Sequence, residues 1–149
     1  REYFSLLKEL TLRSAASLGD GRRFVILFWD NGERDDGLPD QPIPGTQGNV
    51  DTLRSAVDRV FSIGRSEITP ALKRAFELNA DDVVIVTAKG WQLDDAFVQQ
   101  VLNARTDHTA RVHSVSLGGG GDGGLKQVAE RTGGQFIELT LTDLRTLVR

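Results

Sequence analysis

The hydrophobic positions of the chain follow two patterns: continuous β-branched runs, and stripes at helical spacing. Residues 83–86 form the clearest run, apolar at every position, as a strand buried on both faces requires. Ahead of it, apolar residues recur at helical spacing over 71–78, which predicts a helix. Pro70 suits the start of that helix, and Thr69 or Ser66 can cap it. This stretch therefore predicts an αβ unit.

The same patterns predict the other elements. A helical stripe over residues 2–18 ends at the Gly19 turn, and an all-apolar strand at 24–29 ends at Asp30. Residues 31–49 are rich in Gly, Pro and Asp and lack periodicity, so we expect a long surface loop, which in a compact domain is usually functional or mobile. A helix is predicted at 51–62, capped by Asn49 or Asp51 and closed by Gly64, and another at 94–103. An alternating strand follows at 112–117, with one face less buried or near the sheet edge. The last predicted elements are a helix from Leu125 closed by Gly133 and Gly134, a strand at 135–139 and a helix at 141–148.

Strands that are separated by helices predict parallel pairing with right-handed crossovers and helices on both faces. The fold class expected is therefore a three-layer, doubly wound α/β protein with a mainly parallel sheet. With 149 residues and no repeat, the chain is predicted to form one domain spanning residues 1–149.

Composition narrows the possible partners. The net charge of −3 argues against nucleic acid, which requires a basic patch, and no apolar run approaches the ~20 residues that span a bilayer. The chain contains no Cys, which excludes disulfides and thiolate metal sites, and no Met. Since Arg1 is not a translation start, we expect the sequence to be part of a longer protein, a soluble domain whose compartment and oligomeric state stay open.

A glycine loop follows the strand at 112–117. Gly118, Gly120 and Gly123 satisfy G-x-G-x-x-G between a strand and a helix, and Glu138 follows on the next strand, as in a dinucleotide fingerprint. That fingerprint normally opens a Rossmann unit, whereas only one strand remains here. A flexible crossover loop is the favoured interpretation, and a nucleotide-binding Rossmann-like domain is the alternative.

Catalytic motifs are absent from the sequence. There is no G-x-S-x-G elbow, H-E-x-x-H pair or P-loop lysine. Of the two histidines, His108 falls in a loop and His113 on the alternating strand, where we expect it to face solvent. Paired acids such as Asp81 and Asp82 are expected in loops and at helix starts. We therefore predict that the protein is not an enzyme.

Three segments together resemble the von Willebrand factor A (vWA) family. GRSEITPALKRAFELNADDVVIVTAKG is similar to its pattern G-G-T-D-ϕ-x-x-A-L, helix, strand, T-D-G. ARVHSVSLGGGGDGGLKQVAERTGGQFIEL resembles the family's strand, glycine loop, helix and T-G-G-x-ϕ, and RRFVILFWD resembles its second strand. The resemblance spans nearly the whole chain and is closest to compact bacterial members.

The resemblance implies a metal-ion-dependent adhesion site at the carboxyl ends of the strands. The family builds it from D-x-S-x-S after the first strand, a Thr in a middle loop and the Asp of T-D-G, around Mg²⁺ with oxygen ligands. Here Arg1 already lies in the helix that follows D-x-S-x-S, Ser66 replaces the Thr, and Ala88 replaces the Asp. The site is therefore degenerate, and Ser66 would bind Mg²⁺ or another divalent cation only if an upstream D-x-S-x-S exists.

The resemblance also places the family's first strand between the strands at 24–29 and 83–86. An empty slot there would leave two rows of backbone groups unpaired, at ~1–3 kcal/mol for each buried group. We therefore expect a segment before Arg1, or from another chain, to fill it.

The function expected is a protein-interaction or scaffolding module; a purely structural domain of a larger protein is a further alternative. Its contact surface would be the rim at the carboxyl ends of the strands, with Trp91 as an exposed aromatic anchor. The rim residues are Asp30, Ser66, Glu67, Thr87, Lys89 and the loop from Gly118 to Gly123. Lys89 is expected to point into water; alternatively, its ammonium balances an upstream carboxylate at the vacated metal position.

Overall fold

The structure, a computed structural model, describes residues 2–29, 38–60, 68–105, 109–119 and 123–149, with only the backbone of Trp91. Its helices are α1 (Glu2–Ala16), α2 (Gln47–Asp58), α3 (Thr69–Glu77), α4 (Asp95–Ala104), α5 (Gly124–Thr132) and α6 (Leu141–Leu147), and its strands are β1 (Gly19–Phe24), β2 (Ile43–Gly45), β3 (Asp82–Thr87), β4 (Arg111–Leu117) and β5 (Phe136–Leu139). They group into two compact units, one up to Ile68 and one made of Thr69–Leu147. Within the described residues, no helix has both the length and the apolar content to cross a membrane. That the chain is one domain stays a prediction.

In the first unit, α1 packs against α2. Leu12 and Ala15 of α1 are buried with Val50 and Val57 of α2, and burial of a Val or Leu side chain stabilises by ~1.5–3 kcal/mol. An ion pair reinforces the contact at the surface, where Arg54 Nη1 of α2 lies 2.6 Å from Glu9 Oε2 of α1. The two helices thus hold this unit together largely by apolar contact.

Helix α2 begins earlier than predicted. Thr46 has an extended backbone, and its hydroxyl accepts the backbone N–H of Asn49 at 3.2 Å. The side chain of Asn49 instead donates to Pro44 O at 2.8 Å. The prediction that Asn49 or Asp51 caps this helix is therefore wrong, and the helix ends at Asp58; Gly64, its predicted end, lies outside the described residues.

The strand predicted at 24–29 is also wrong. Strand β1 comprises Gly19–Phe24 and pairs antiparallel with β2, with Phe24 opposite Ile43. Residues 25–29 have no strand partner in the described chain, and a strand requires a neighbour to hydrogen-bond. The apolar side chains of Ile26 and Phe28 pack against the α1–α2 core instead. The short strand β2 falls in the region predicted as an unpatterned loop.

The second unit contains a parallel sheet in the order β3-β4-β5. Val83 pairs with Val112, and Val115 pairs with Ile137. Helices α4 and α5 connect the strands, and Asp94 caps α4 by accepting the N–H groups of Ala96 and Phe97. The alternating parallel organisation predicted for this part of the chain is confirmed.

One face of this sheet is packed and the other is open. On the packed face, Ile85, Val112 and Ser114 are buried, and the Ser114 hydroxyl donates to Leu125 O of α5 at 2.7 Å. On the opposite face Val84 is 57% exposed and Ile137 46%. Full burial of β3 on both faces is therefore a wrong prediction, because no described element of this unit covers Val84. Strand β4 does have one less buried face, as predicted, but it lies in the middle of the sheet.

The T-G-G motif, residues 132–134, holds the end of α5 against strand β4. The Thr132 hydroxyl accepts the N–H of Val112 at 2.9 Å and donates to Val128 O. Gly133 ends α5 in the left-handed conformation (φ 78°), which glycine adopts without strain. Gly134 then passes so close to β4 that an added Cβ would lie 2.0 Å from Val112 O. This crossing permits no side chain at Gly134.

Candidate functional site

The carboxyl end of β3 forms a tight turn that displays Lys89. Thr87 is 7% exposed, and its hydroxyl accepts the backbone N–H of Lys89 at 3.0 Å. This bond turns the chain outward, so that Ala88 and Lys89 are exposed while Gly90 is buried. Trp91 follows in a 3-10 turn, Gly90–Gln92. Of the predicted rim residues, Lys89 is thus at the surface and Thr87 supports the turn beneath it.

The turn after β3 meets the start of α5. Leu93 O accepts the N–H of Gly124 at 3.2 Å. A Cβ at Gly124 would lie 2.4 Å from that oxygen, so only glycine permits the approach. Gly118 and Gly119, at the end of β4, both have positive φ, and Gly118 N–H donates to Leu139 O at 2.9 Å. The loops after β3 and β4 are therefore joined at this end of the sheet.

The loop after β5 is closed by a capping box. The N–H of Thr140 donates to Asp143 Oδ2 at 2.8 Å, and the N–H of Asp143 donates to the Thr140 hydroxyl at 3.1 Å. Hydrogen bonds to the Asp143 carboxylate from the backbone of Thr140 and, second, from its side chain hold the pKa of Asp143 below its ordinary value. The Asp143 carboxylate thus fixes the start of α6.

We define the carboxyl-end rim of this unit as residues 87–93, 118–119, 123–124 and 140. Asp30, Ser66, Glu67 and residues 120–122, which were also predicted at the rim, lie outside the described residues, so their placement stays a prediction. Where the chain is described, no three His, Cys, Asp or Glu side chains come together as metal ligands. Ala88 offers only a methyl group, so the described rim does not fit a divalent cation, and the degenerate metal site also stays a prediction.

A polar cluster that the sequence did not predict lies at the amino end of the sheet. His113 Nε2 of β4 lies 2.7 Å from Asp82 Oδ1 of β3, and its Nδ1 accepts the backbone N–H of Gln135 at 3.0 Å. Arg111 Nε lies 3.0 Å from the same Asp82 oxygen. The hydrogen bond from His113, followed by that from Arg111, lowers the pKa of Asp82 below its ordinary value. The expectation that His113 faces solvent is met in part: it lies on the less buried face of β4, but its side chain is 23% exposed and both ring nitrogens are hydrogen-bonded.

The parallel sheet with helical crossovers places the chain in the class of α/β proteins with a Rossmann-like sheet. A solved structure, von Willebrand factor type A from Catenulispora acidiphila, superposes with a TM-score of 0.72 at 16% sequence identity over 99% of this chain. The protein thus has a vWA-like, Rossmann-like fold, which confirms the fold that the sequence resemblance implied. The match covers 36% of that other chain, so this chain spans about a third of its length. The sequence matches no protein-family model and no curated protein.

Proposed function

We propose that this vWA-like chain is a protein-interaction or scaffolding module that contacts its partner through the carboxyl-end rim. The observation that carries the proposal is the exposed Lys89, displayed by the Thr87 turn where the loops after β3 and β4 meet. Open α/β sheets present their ligand sites at this end of the strands. Lys89 favours a partner surface that carries acidic side chains.

Binding is proposed rather than catalysis because of what the rim groups already do. The Thr87 hydroxyl is buried and accepts the Lys89 N–H, and next to the rim the Asp143 carboxylate accepts the Thr140 N–H and caps α6. Neither forms a nucleophile–base pair of the kind that activates covalent catalysis. The exposed groups of the described rim are therefore better suited to recognition.

The proposal is tested by affinity capture with a charge reversal. The chain is immobilised as wild type, as Lys89→Glu and as Lys73→Glu; Lys73 is an exposed lysine on α3. We expect at least one protein that the wild type and Lys73→Glu capture and that Lys89→Glu loses. Reversing a rim charge mainly slows association and changes its salt dependence, so the loss should be greatest at low salt.

The captured protein is then purified and its affinity for the three variants is measured directly. Equal capture by all three variants, or equal affinity of the purified partner for them, would contradict a contact at the rim. Circular dichroism of each variant confirms that the substitutions leave the fold intact.

Two other ligands are tested in the same preparation. Thermal unfolding with NAD or ATP examines the nucleotide alternative, and a large saturable rise in melting temperature would favour it over the protein-binding proposal. Titration with Mg²⁺ or Mn²⁺ examines the metal site, which is expected to bind only if a D-x-S-x-S segment lies upstream. Saturable binding that depends on Ser66 would show that this site is functional. It would also refute a charge-balancing role for Lys89.

A further inference from the structure

His113 connects β4 to β3 and to the segment before β5 at the amino end of the parallel sheet. By the strand register, Asp82, His113 and Val84 share the open face. The imidazole contacts β3 through Asp82 Oδ1 and the segment before β5 through the N–H of Gln135. Each nitrogen of the ring therefore has one partner, and the two partners lie on opposite sides of β4.

These partners fix where the imidazole proton lies. A backbone N–H can only donate, so Nδ1 must present a lone pair to Gln135. A neutral imidazole has one N–H, which is then on Nε2 and is donated to the Asp82 carboxylate. A doubly protonated ring has no lone pair and cannot accept from Gln135.

We propose that His113 is a pH-sensitive latch: protonation of Nδ1 releases the N–H of Gln135 and loosens the start of β5, while the contact to Asp82 is kept. The hydrogen bonds from His113 and Arg111 lower the pKa of Asp82, so this carboxylate stays ionised over the pH range in which histidines generally change charge. The ring therefore keeps one partner and loses the other.

The surroundings of the ring favour a local response. Among the described residues, the charged groups in the cluster around the ring are Asp82 on β3 and Arg111 on β4. The segment before β5 contributes the Gln135 amide. Helix α5 packs on the other face through Ser114 and Leu125, and Glu138 pairs with Ser116 on that same far face. The Ser114 N–H still donates to Gln135 O at 2.9 Å, so the opening is confined to the Gln135 amide, where the chain enters β5.

The test is nitrogen NMR of the whole chain between pH 8 and pH 5. At pH 8 we expect an unprotonated Nδ1 and a hydrogen-bonded Gln135 amide. On acidification, Nδ1 should become protonated, and the Gln135 amide proton should move upfield with the same midpoint. Its protection factor against hydrogen exchange should fall about fivefold, the factor expected for the loss of a hydrogen bond worth ~1 kcal/mol.

Internal controls separate the latch from general acid unfolding. The Gly118 amide, bonded to Leu139 O at the other end of the β4–β5 pair, should keep its protection factor. The variant His108→Gln, which removes the other histidine, should respond like the wild type. His113→Phe should leave the Gln135 amide unprotected at both pH values.

The proposal is overturned if Nδ1 carries the proton at pH 8, or if the Gln135 amide does not respond when the ring becomes charged. It is also overturned if Gly118 loses protection together with Gln135. The nitrogen measurement uses the wild-type chain, so the outcome does not depend on whether His113→Phe folds.

Discussion

Replacing Gly134 by alanine should destabilise the second unit strongly. An added Cβ would lie 2.0 Å from Val112 O and 2.5 Å from Val112 C. Because ordinary contact begins near 3.4 Å, the two backbones must separate by about 1.4 Å. Three hydrogen bonds at the crossing, each 2.9 Å long, oppose that movement: Val112 N–H to Thr132, Gly134 N–H to Ala129 O, and Ser114 N–H to Gln135 O.

Overpacking costs ~1–3 kcal/mol, and losing two of these hydrogen bonds adds ~1 kcal/mol each. We therefore expect a loss of about 3–5 kcal/mol in the free energy of unfolding. Urea unfolding followed by circular dichroism measures it, with the transition of the second unit used if the two units unfold separately.

Alanine substitutions at two other glycines distinguish the steric clash at Gly134 from the effect of adding a Cβ to a glycine backbone. Gly133 has φ 78° and open space at its Cβ, so Gly133→Ala should cost only the ~1–2 kcal/mol of a left-handed L-residue. Gly48 lies in α2 with open space around it, so Gly48→Ala should be neutral or stabilising by up to ~1 kcal/mol. If Gly134→Ala costs no more than Gly133→Ala, the close approach to Val112 is not what restricts this position.

Two further predictions concern charge and capping. Asp82 has a folded-state pKa below its ordinary value of 3.8, so its contribution to stability is present above that value and is lost as the pH falls through the folded pKa. Asp82→Asn should therefore lower the urea midpoint at pH 7 and lower it less as the pH falls below 3.8; an equal loss at both would contradict this, and Asp81→Asn is the matched control for removing a charge. Thr46→Ala should lower the free energy of unfolding of the first unit by about 1 kcal/mol through loss of the α2 cap, whereas Thr52→Ala, on the exposed side of the same helix, should cause a much smaller change.

The parallel part of the fold could be predicted from sequence because each of its signals is local. The β-branched run at 83–86 requires a strand, an apolar stripe at helical spacing marks the helix that follows Asp94, and Gly133 ends a helix where a left-handed residue is needed. Patterns of this kind depend on residues within one or two turns of each other. The order of elements then determined the class of fold.

The features that were not predicted correctly depend on contacts between residues that are distant in the chain. The run at 24–29 is as apolar as residues 83–86, yet in the described chain residues 25–29 have no strand beside them. His113 and Asp82 are thirty-one residues apart, and only the parallel register, with Val84 opposite His113, brings their side chains to one face. In the described residues β3 has a strand neighbour on one side only, so the strand expected in the slot beside it stays a prediction.

The hydrogen bonds at the carboxyl end of the sheet bear on which kind of ligand it suits. A phosphate bound by a glycine loop requires free backbone N–H groups, but the amides of Lys89, Gly118 and Gly124 already donate to Thr87, Leu139 and Leu93. A phosphate bound at these three amides would have to replace these bonds. The Lys89 side chain is exposed and has no ion pair among the described residues. Contact through this side chain would leave the backbone bonds intact, which favours a protein surface over a phosphate as the partner of the rim.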